Sequence, residues 1–584
     1  MTAVVGFIQV MRSPSRNGLS GWRFLAQTLA IAIFAGILLW RLITLQVLEP
    51  ERYVEHGENQ RIRSAELAAE RGAIVDRNGI ELAVSSPRRS IWADPRLITD
   101  AEGTAAAIVA YAGGDADQLI RRLQNEEAKF AWMARQLDDE TADGVLALEL
   151  NGIYATEEQA RLTPGGDFMA RGILGRTDID GMGLSGLEKQ YDDLLTGEKG
   201  RVVIERGLAG GERVTIPNGR FELVTPISGN SIVLTLDRTV QFEVEKLLER
   251  HVVDAEAQSG TVIVSKPSTG EILAMATVER TDQGVVQVSG NNRGVTGIVE
   301  PGSISKPLAI GALIEEGLVT PHTQVSVADS IEIYDRVFTD SISHDTTNLT
   351  TAQVLETSSN VGMALLADRM TNATMHDYLA DFGLGQPTAL NFPGEADGIL
   401  HPADEWSGVS LPSAAIGYGF AATPLQMLRA YNVFANDGVL VEPHLVSGVL
   451  NPDGDFDILS PNDGTTVVSE QTARTVTSML AGVVNKGTGQ LASVPGYEIA
   501  GKTGTARIAQ PNGGYRDEDG NVHLLTSFAG YLPASDPQLS IIVVIEDPTG
   551  DASGGRLAAP LFGEISNFSL QHFRIPPAAA IGGD

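Results

Sequence analysis

Between Arg23 and Arg41 no charged residue interrupts the chain, and the apolar run from Phe24 to Trp40 continues through Leu42, Ile43, Leu45, Val47 and Leu48. This is about the length that crosses a bilayer as a helix, so this stretch is expected outside any soluble core. Arg12, Arg16 and Arg23 precede it, and the first acidic residue is Glu49. The excess of arginine on that side predicts a cytoplasmic N-terminus and an exported chain beyond about residue 48. A cleaved signal peptide is the competing reading. The length of the run and the lack of a small-x-small site at its end argue against it. The expectation is a single-pass, membrane-anchored ectodomain.

The rest of the 584 residues is long enough for two or more domains with substantial cores. An apolar content of 43% with 20% charged residues is that of a globular chain. Lys+Arg 42 against Asp+Glu 74 gives a net charge of 42 − 74 = −32, which repels phosphate backbones and makes nucleic acid a poor partner. Without cysteine there can be no disulfide, thiolate metal site or cysteine catalysis, and the absence also suits an exported protein. The histidines show no metal-ligand spacing, and His344 reads as a structural or surface group.

After the apolar run, Arg71-Gly-Ala-Ile-Val-Asp76-Arg77-Asn78-Gly79 and Leu82-Ala-Val-Ser-Ser read as two β-prone runs joined by a tight Asn-Gly turn. Residues from about 100 to 160 read as helical, and Gly181 to Glu188 opens another helix that ends near Thr196-Gly197. Turn signals at Pro217, Asn218 and Gly219, and from Pro226 to Gly229, mark an expected boundary. Beyond it, Ile232 to Asp237 reads as a strand and Thr239 to His251 as an amphipathic helix. Thr261 to Ser265 and Glu271 to Ala276 form an expected antiparallel hairpin. Three more strands are expected at Glu498 to Arg507, Leu525 to Leu532 and Leu539 to Glu546, with helices from about 306 to 435. Strands at both ends with helices between them predict an antiparallel sheet assembled from both ends of one domain.

Ser303-Ile304-Ser305-Lys306 places a hydroxyl and an amine one helical turn apart on one face, so that the lysine can take the serine's proton. The chain has only about eight lysines, and none of the others follows a serine by three residues. Pro307 would clash with the carbonyl of Ser303, so the helix can barely extend upstream and Ser303 belongs at its N-terminus. Alone, Ser-x-x-Lys is most often a solvated helix start. Far downstream comes Lys502-Thr503-Gly504-Thr505, on an expected strand. There Gly504 would leave one face bare for a substrate backbone, and Lys502 with the threonine hydroxyls would grip a carboxylate. Between the two lies Ser358-Ser359-Asn360, where Ser358 could relay a proton and Asn360 could hold a substrate amide from both its donor and its acceptor. Each fragment has an ordinary structural reading, but the three in this order point to serine acyl transfer of the penicillin-reactive kind.

On these motifs the chain resembles a class B penicillin-binding protein, a monofunctional peptidoglycan D,D-transpeptidase, and most of all the septal, cell-division subgroup. The likeness runs nearly the whole length after the anchor. It includes Arg71-Gly-Ala-Ile-Val-Asp-Arg-Asn-Gly, Ile91-Trp92-Ala-Asp94-Pro95, Gly186-Leu-Glu188-Lys189, Glu300-Pro-Gly-Ser-Ile-Ser-Lys-Pro307, Phe382-Gly-Leu-Gly385, Thr423-Pro-Leu-Gln426 and Ser527-Phe-Ala-Gly530. Lys189 falls where the family's pedestal continues into its helix, as a structural residue. The usual Phe between Ser and Lys is here Ile304-Ser305.

The resemblance implies an α+β fold. A transpeptidase domain of the serine β-lactamase kind, an antiparallel sheet with helices on both sides, would stand on an elongated, β-rich N-terminal pedestal behind one transmembrane helix. The expected division is a cytoplasmic tail 1–22, an anchor 23–48, a pedestal 49–228, a transpeptidase domain 229–575 and a tail 576–584. It implies Ser303 as nucleophile, Lys306 as base, Ser358 and Asn360 as catalytic partners, and Lys502, Thr503, Gly504 and Thr505 as substrate-binding residues. The backbone amides of Ser303 and Thr505 would form the oxyanion hole, and the charge of Lys502 would help to lower the Lys306 pKa. No metal or organic cofactor is needed. Implied partners are peptidoglycan stem peptides, β-lactams, a membrane-embedded glycan polymerase and other membrane proteins of the division complex. An elongation-type transpeptidase, a D,D-carboxypeptidase, and a division scaffold with secondary catalysis are the alternatives. A β-lactamase or penicillin sensor fits the pedestal and the single anchor less well.

Overall fold

The computed structural model describes residues 18–48, 61–209, 212–216, 219–459, 464–511 and 513–577. Most of the expected cytoplasmic tail and of the C-terminal tail, together with Pro217 and Asn218, lies outside these residues. The described chain divides into two compact units. The smaller comprises residues 1–67 and 199–226, and the larger 68–198 and 227–584.

In the smaller unit the apolar segment is helical from Gly18–Ile43 and continues as a π-helical turn, Thr44–Leu48. The side chains of residues 21–43 are exposed, and the segment is long and apolar enough to cross a membrane. The unit also holds a four-stranded antiparallel sheet, in which Gly200–Ala209 pairs with Ile62–Leu67, Glu212–Thr215 and Phe221–Val224.

The larger unit holds the catalytic motifs. Its six-stranded antiparallel sheet is built from β1 (Ser259–Ser265), β2 (Ile272–Arg280), β3 (Val286–Val288), β4 (Ala500–Arg507), β5 (Leu524–Leu532) and β6 (Leu539–Glu546), in the order β3-β2-β1-β6-β5-β4. The sheet thus joins the two ends of the domain, as the sequence pattern predicts. Its central strands are apolar on both faces. In β6, Ile541, Val543 and Ile545 pack with helices Arg238–Asp254 and Ala558–His572, while Ile542 and Val544 face a larger helical core on the other side. Alternating side chains therefore bury both surfaces of the sheet.

A second, seven-stranded sheet links the N-terminal part of this unit to the catalytic part. Ser231–Leu234 pairs parallel with Ile74–Val75 and antiparallel with Val446–Leu450. The Asn78-Gly79 turn joins Ile74–Val75 to the long strand Glu81–Ala93, with Gly79 at φ +79°. The stretch from 100 to 160 differs from the helical reading. Helices Ala101–Ala112, Ala116–Leu123 and Asp139–Leu146 are present, but Ala131–Leu137 and Ile153–Leu162 are strands, both paired with Glu81–Ala93. Those strands are rich in Ala, Glu, Gln and Arg, good helix formers, and pairing across the sheet overrides their propensity.

Below this sheet a buried ion network ties the unit together. Glu188, 2% exposed, accepts from Arg71 at 2.7 Å and from Arg161 at 2.6 Å, while a second Arg71 nitrogen reaches Asp192 at 2.7 Å. Lys189 beside it is exposed, so Glu188 carries the structural role in that string. Glu188→Ala would leave two guanidinium groups in the interior without their carboxylate, at a cost of about 3–5 kcal/mol. Chemical denaturation should show a clearly lowered midpoint; an unchanged midpoint would contradict this reading of the network.

Candidate active site

Ser303 sits in a 3-10 turn, Gly302–Ser305, that leads into helix α1 (Lys306–Glu315) with Pro307 in its first turn. The proline forces this arrangement, because its ring excludes an α-helical carbonyl at Ser303. Gly302 has φ +58° and donates its amide to the Gly417 carbonyl at 3.0 Å. Tyr431 fixes the turn from behind, donating its hydroxyl to the Ile304 carbonyl at 2.7 Å. Ile304 is buried in the core and packs the turn from inside.

The motif Lys502-Thr503-Gly504-Thr505 lies on β4, the edge strand of the sheet, where one row of backbone groups faces away from β5. Gly504 has a packing reason within the protein itself. A Cβ built there would strike Ser527 Oγ and come within 2.9 Å of Ile304 Cγ2. The missing side chain therefore lets the nucleophile's turn press against the strand. Thr503 is buried and pairs with the Thr488 hydroxyl at 2.6 Å; Thr505 is exposed, and its hydroxyl accepts the Gly554 amide at 3.1 Å.

Ser358-Ser359-Asn360 joins helix Thr351–Thr357 to α2 (Asn360–Ala367). Ser358 is held at φ +60°, a left-handed conformation that a serine rarely adopts and that marks a constrained position. The turn brings its side chains to the lysines. Lys306 Nζ lies 2.6 Å from the Ser358 carbonyl, 3.2 Å from Ser358 Oγ and 2.8 Å from Asn360 Oδ1. Lys502 Nζ reaches the same Ser358 Oγ at 2.9 Å and the Thr503 carbonyl at 3.0 Å. Five of the eight expected residues, Lys306, Ser358, Asn360, Lys502 and Thr503, thus form one hydrogen-bonded cluster, and Gly504 and Thr505 continue the same strand. Ser303 adjoins it through the helical turn to Lys306, and its hydroxyl has no hydrogen-bond partner among the described residues. Asn360 Nδ2 donates to the Thr339 carbonyl at 2.9 Å, which together with the Lys306 contact fixes the orientation of its amide.

Both lysines are fully buried. Desolvation pushes Lys306 down to about 7, partly opposed by the negative charge of Asp340. Lys502 is held well below the ordinary lysine range by burial and by the neighbouring Lys306 charge. Desolvation is the main cause for both amines, and the repulsion between their charges disfavours protonating the pair together. One residue escaped the sequence reading altogether. Asp340 ends the strand Arg336–Thr339 and accepts hydrogen bonds from the Asn360 and Val361 amides and from Ser359 Oγ. A lone aspartate in a polar loop carries no signal that such a turn will fold over it.

Residues 260–567 match the family model for the penicillin-binding protein transpeptidase domain, and residues 66–234 match that for the penicillin-binding protein dimerisation domain. The chain belongs to the penicillin-binding protein family. Among its members it falls with the class B, septal-type proteins. It is 33% identical to the peptidoglycan D,D-transpeptidase FtsI of Escherichia coli, over 96% of this chain and 94% of that protein. It is 35% identical to the penicillin-binding protein PbpB of Mycobacterium tuberculosis, over 87% and 78% of the two chains. Its fold is similar to that of penicillin-binding protein 3 of M. tuberculosis complexed with aztreonam, with a TM-score of 0.67, 30% identity, and coverage of 88% and 98%. A peptidoglycan synthetase of Bifidobacterium adolescentis is also similar, with a TM-score of 0.70, 28% identity, and coverage of 90% and 99%.

The role of Gly504 in this penicillin-binding protein is open to a direct check. Gly504→Ala would push the Ser303 turn away from β4, and a displacement of about 1 Å at a reacting group lowers rates by about 10²-fold. Stopped-flow acylation by a chromogenic β-lactam should show this loss in a protein that still melts cooperatively. Acylation at the wild-type rate would show that the contact is immaterial.

Proposed function

We propose that this penicillin-binding protein cross-links peptidoglycan stem peptides as a serine-type D,D-transpeptidase in septal wall synthesis, and that β-lactams inhibit it by acylating the same serine. The observation that carries this reading is the unpartnered Ser303 hydroxyl, one helical turn from a buried amine whose pKa lies near 7. Neutral Lys306 takes the Ser303 proton as Oγ attacks the carbonyl of the penultimate D-alanine. The peptide C–N bond then breaks, D-alanine leaves with the proton, and an acyl-serine remains. Ser358 Oγ, within reach of both lysines, is placed to pass the proton between Lys306 and the leaving amine. The amino group of a neighbouring stem peptide attacks the ester and gives a proton to Lys306; the ester C–O bond breaks, Lys306 returns that proton to Ser303 Oγ, and the cross-link is formed. The amides of Ser303 and Thr505 stabilise the oxyanion at each tetrahedral stage.

The substrate's terminal carboxylate meets the exposed Thr505 hydroxyl. The anionic carboxylate favours the charged form of Lys502, which then attracts it, with Thr503 and Gly504 shaping that edge of the strand. Asn360 holds the Lys306 amine. In this reading no metal or organic cofactor takes part. The proposed division keeps the cytoplasmic tail 1–22, anchor 23–48, pedestal 49–228, transpeptidase domain 229–575 and tail 576–584, supported by the two family matches. The protein spans the plasma membrane once, with the N-terminus cytoplasmic and the catalytic domain outside, as the N-terminal arginines favour. The anchor and pedestal then face a membrane-embedded glycan polymerase and other division-complex proteins.

Fluorescent penicillin should leave a stable adduct on the full-length protein and none on Ser303→Ala. Labelling that persists in the variant would exclude Ser303 as nucleophile. The acylation rate should rise as pH passes through about 7, because the base is charged and inert below that value. A rate that is flat across that range would remove Lys306 from the base role. With a stem-peptide donor, an added amine acceptor should divert the acyl group into a dimer; hydrolysis alone would indicate a carboxypeptidase.

A further inference from the structure

The Ser358–Asn360 turn makes three of the contacts around the Lys306 amine, and besides its own helix caps it is held by a carboxylate from another segment. Asp340 Oδ1 accepts the Asn360 amide at 2.6 Å and the Val361 amide at 3.0 Å, both at the N-terminus of α2. Its Oδ2 accepts the Ser359 hydroxyl at 2.7 Å. The adjoining Thr339 carbonyl takes the Asn360 side-chain amide. The Asp340 side chain is only 8% exposed, so its charge acts through a poorly screened interior.

The carboxylate has one cationic neighbour on its own loop. His344 Nε2 lies 3.1 Å from Asp340 Oδ2, while Nδ1 lies 2.8 Å from the Asp345 carbonyl. Both ring nitrogens therefore face acceptors, an arrangement that only the doubly protonated imidazolium satisfies fully. The loop is clamped at its base, where the His344 amide donates to Asp329 Oδ1 at 3.2 Å and the Asp340 amide to the Asp329 carbonyl at 3.2 Å. From the other side, Lys306 on α1 and Lys502 on β4 face Ser358, which belongs to the turn that Asp340 holds.

We infer that Asp340 and His344 act as a positioning pair, in which Asp340 pins the Ser358–Asn360 turn beneath the Lys306 amine and its negative charge, offset by His344, governs when that amine gives up its proton. The inference rests on the proposed role of Lys306 as the base. The sign follows from electrostatics, because a nearby carboxylate favours the charged amine and a nearby imidazolium weakens that effect. The pair makes the base respond to pH through two titrating groups, the Lys306 amine and the His344 imidazole, which the Asp340 charge links.

The test is the pH dependence of acylation of the full-length protein in detergent, across about pH 5 to 9, with a fluorescent penicillin as probe. Asp340→Asn keeps an oxygen for the two backbone amides but removes the charge. The acid limb of its profile should move to lower pH by about 0.5 to 1 unit, with a plateau within about tenfold of wild type. His344→Gln removes the offsetting cation and should move the limb the other way, to higher pH. A residue with a merely structural role would lower the plateau without moving the limb. Opposite shifts in the two variants support the inference, and so does the His344→Gln shift alone if Asp340→Asn does not fold. Limbs that stay at the wild-type position in the folded variants overturn it. A wild-type protein that forms no Ser303 adduct would instead remove the reading on which the inference stands.

Discussion

Two lysine amines share the oxygen of one serine side chain, both fully buried in a chain of strongly negative net charge. Placing two ammonium groups so close in a dry interior is unfavourable, and the interior relieves it by making a proton easy to lose. Serine acyl transfer at neutral pH requires that result, because an ordinary lysine would stay charged and could not take a hydroxyl's proton. The surrounding structure can be read as the apparatus that keeps these amines dry, near one another and near Ser303.

Each part of that apparatus comes from a different region of the chain. Pro307 stops the α-helix so that Ser303 stands in a tighter turn ahead of it, and Tyr431 and Gly417 hold that turn from behind. Strand β4 brings Lys502 to the edge of a sheet whose interior strands are apolar on both faces, so the strand cannot shift without disturbing two cores. Gly504 lets the turn and the strand meet. The strained Ser358 completes the contact, kept in place by Asp340. The constellation spans more than two hundred residues of sequence, and its rigidity follows from how few of its members can move independently.

Much of this was legible in the sequence, for identifiable reasons. The apolar run with arginines before it, the strands at both ends of the catalytic region and the three motifs are local patterns, and local patterns survive folding. The strands Ala131–Leu137 and Ile153–Leu162 were not legible, because their helix-forming residues acquire strand character only from pairing with Glu81–Ala93. The packing of Gly504 was not legible either, because its neighbours Ile304 and Ser527 come from other segments. Asp340 and Glu188 illustrate the same limit. A single carboxylate acquires its role only when distant amides or guanidinium groups fold around it, and no spacing along the chain announces that.

The most direct test of the central claim is to titrate the lysine amines themselves. With selectively labelled lysines in the full-length protein, nuclear magnetic resonance can follow the charge of each amine, and Lys306→Arg identifies the resonance of interest. The account predicts that the Lys306 amine loses its proton near pH 7, far below an ordinary lysine. An amine that stayed protonated beyond about pH 9 would contradict the account, since Ser303 would then have no base beside it.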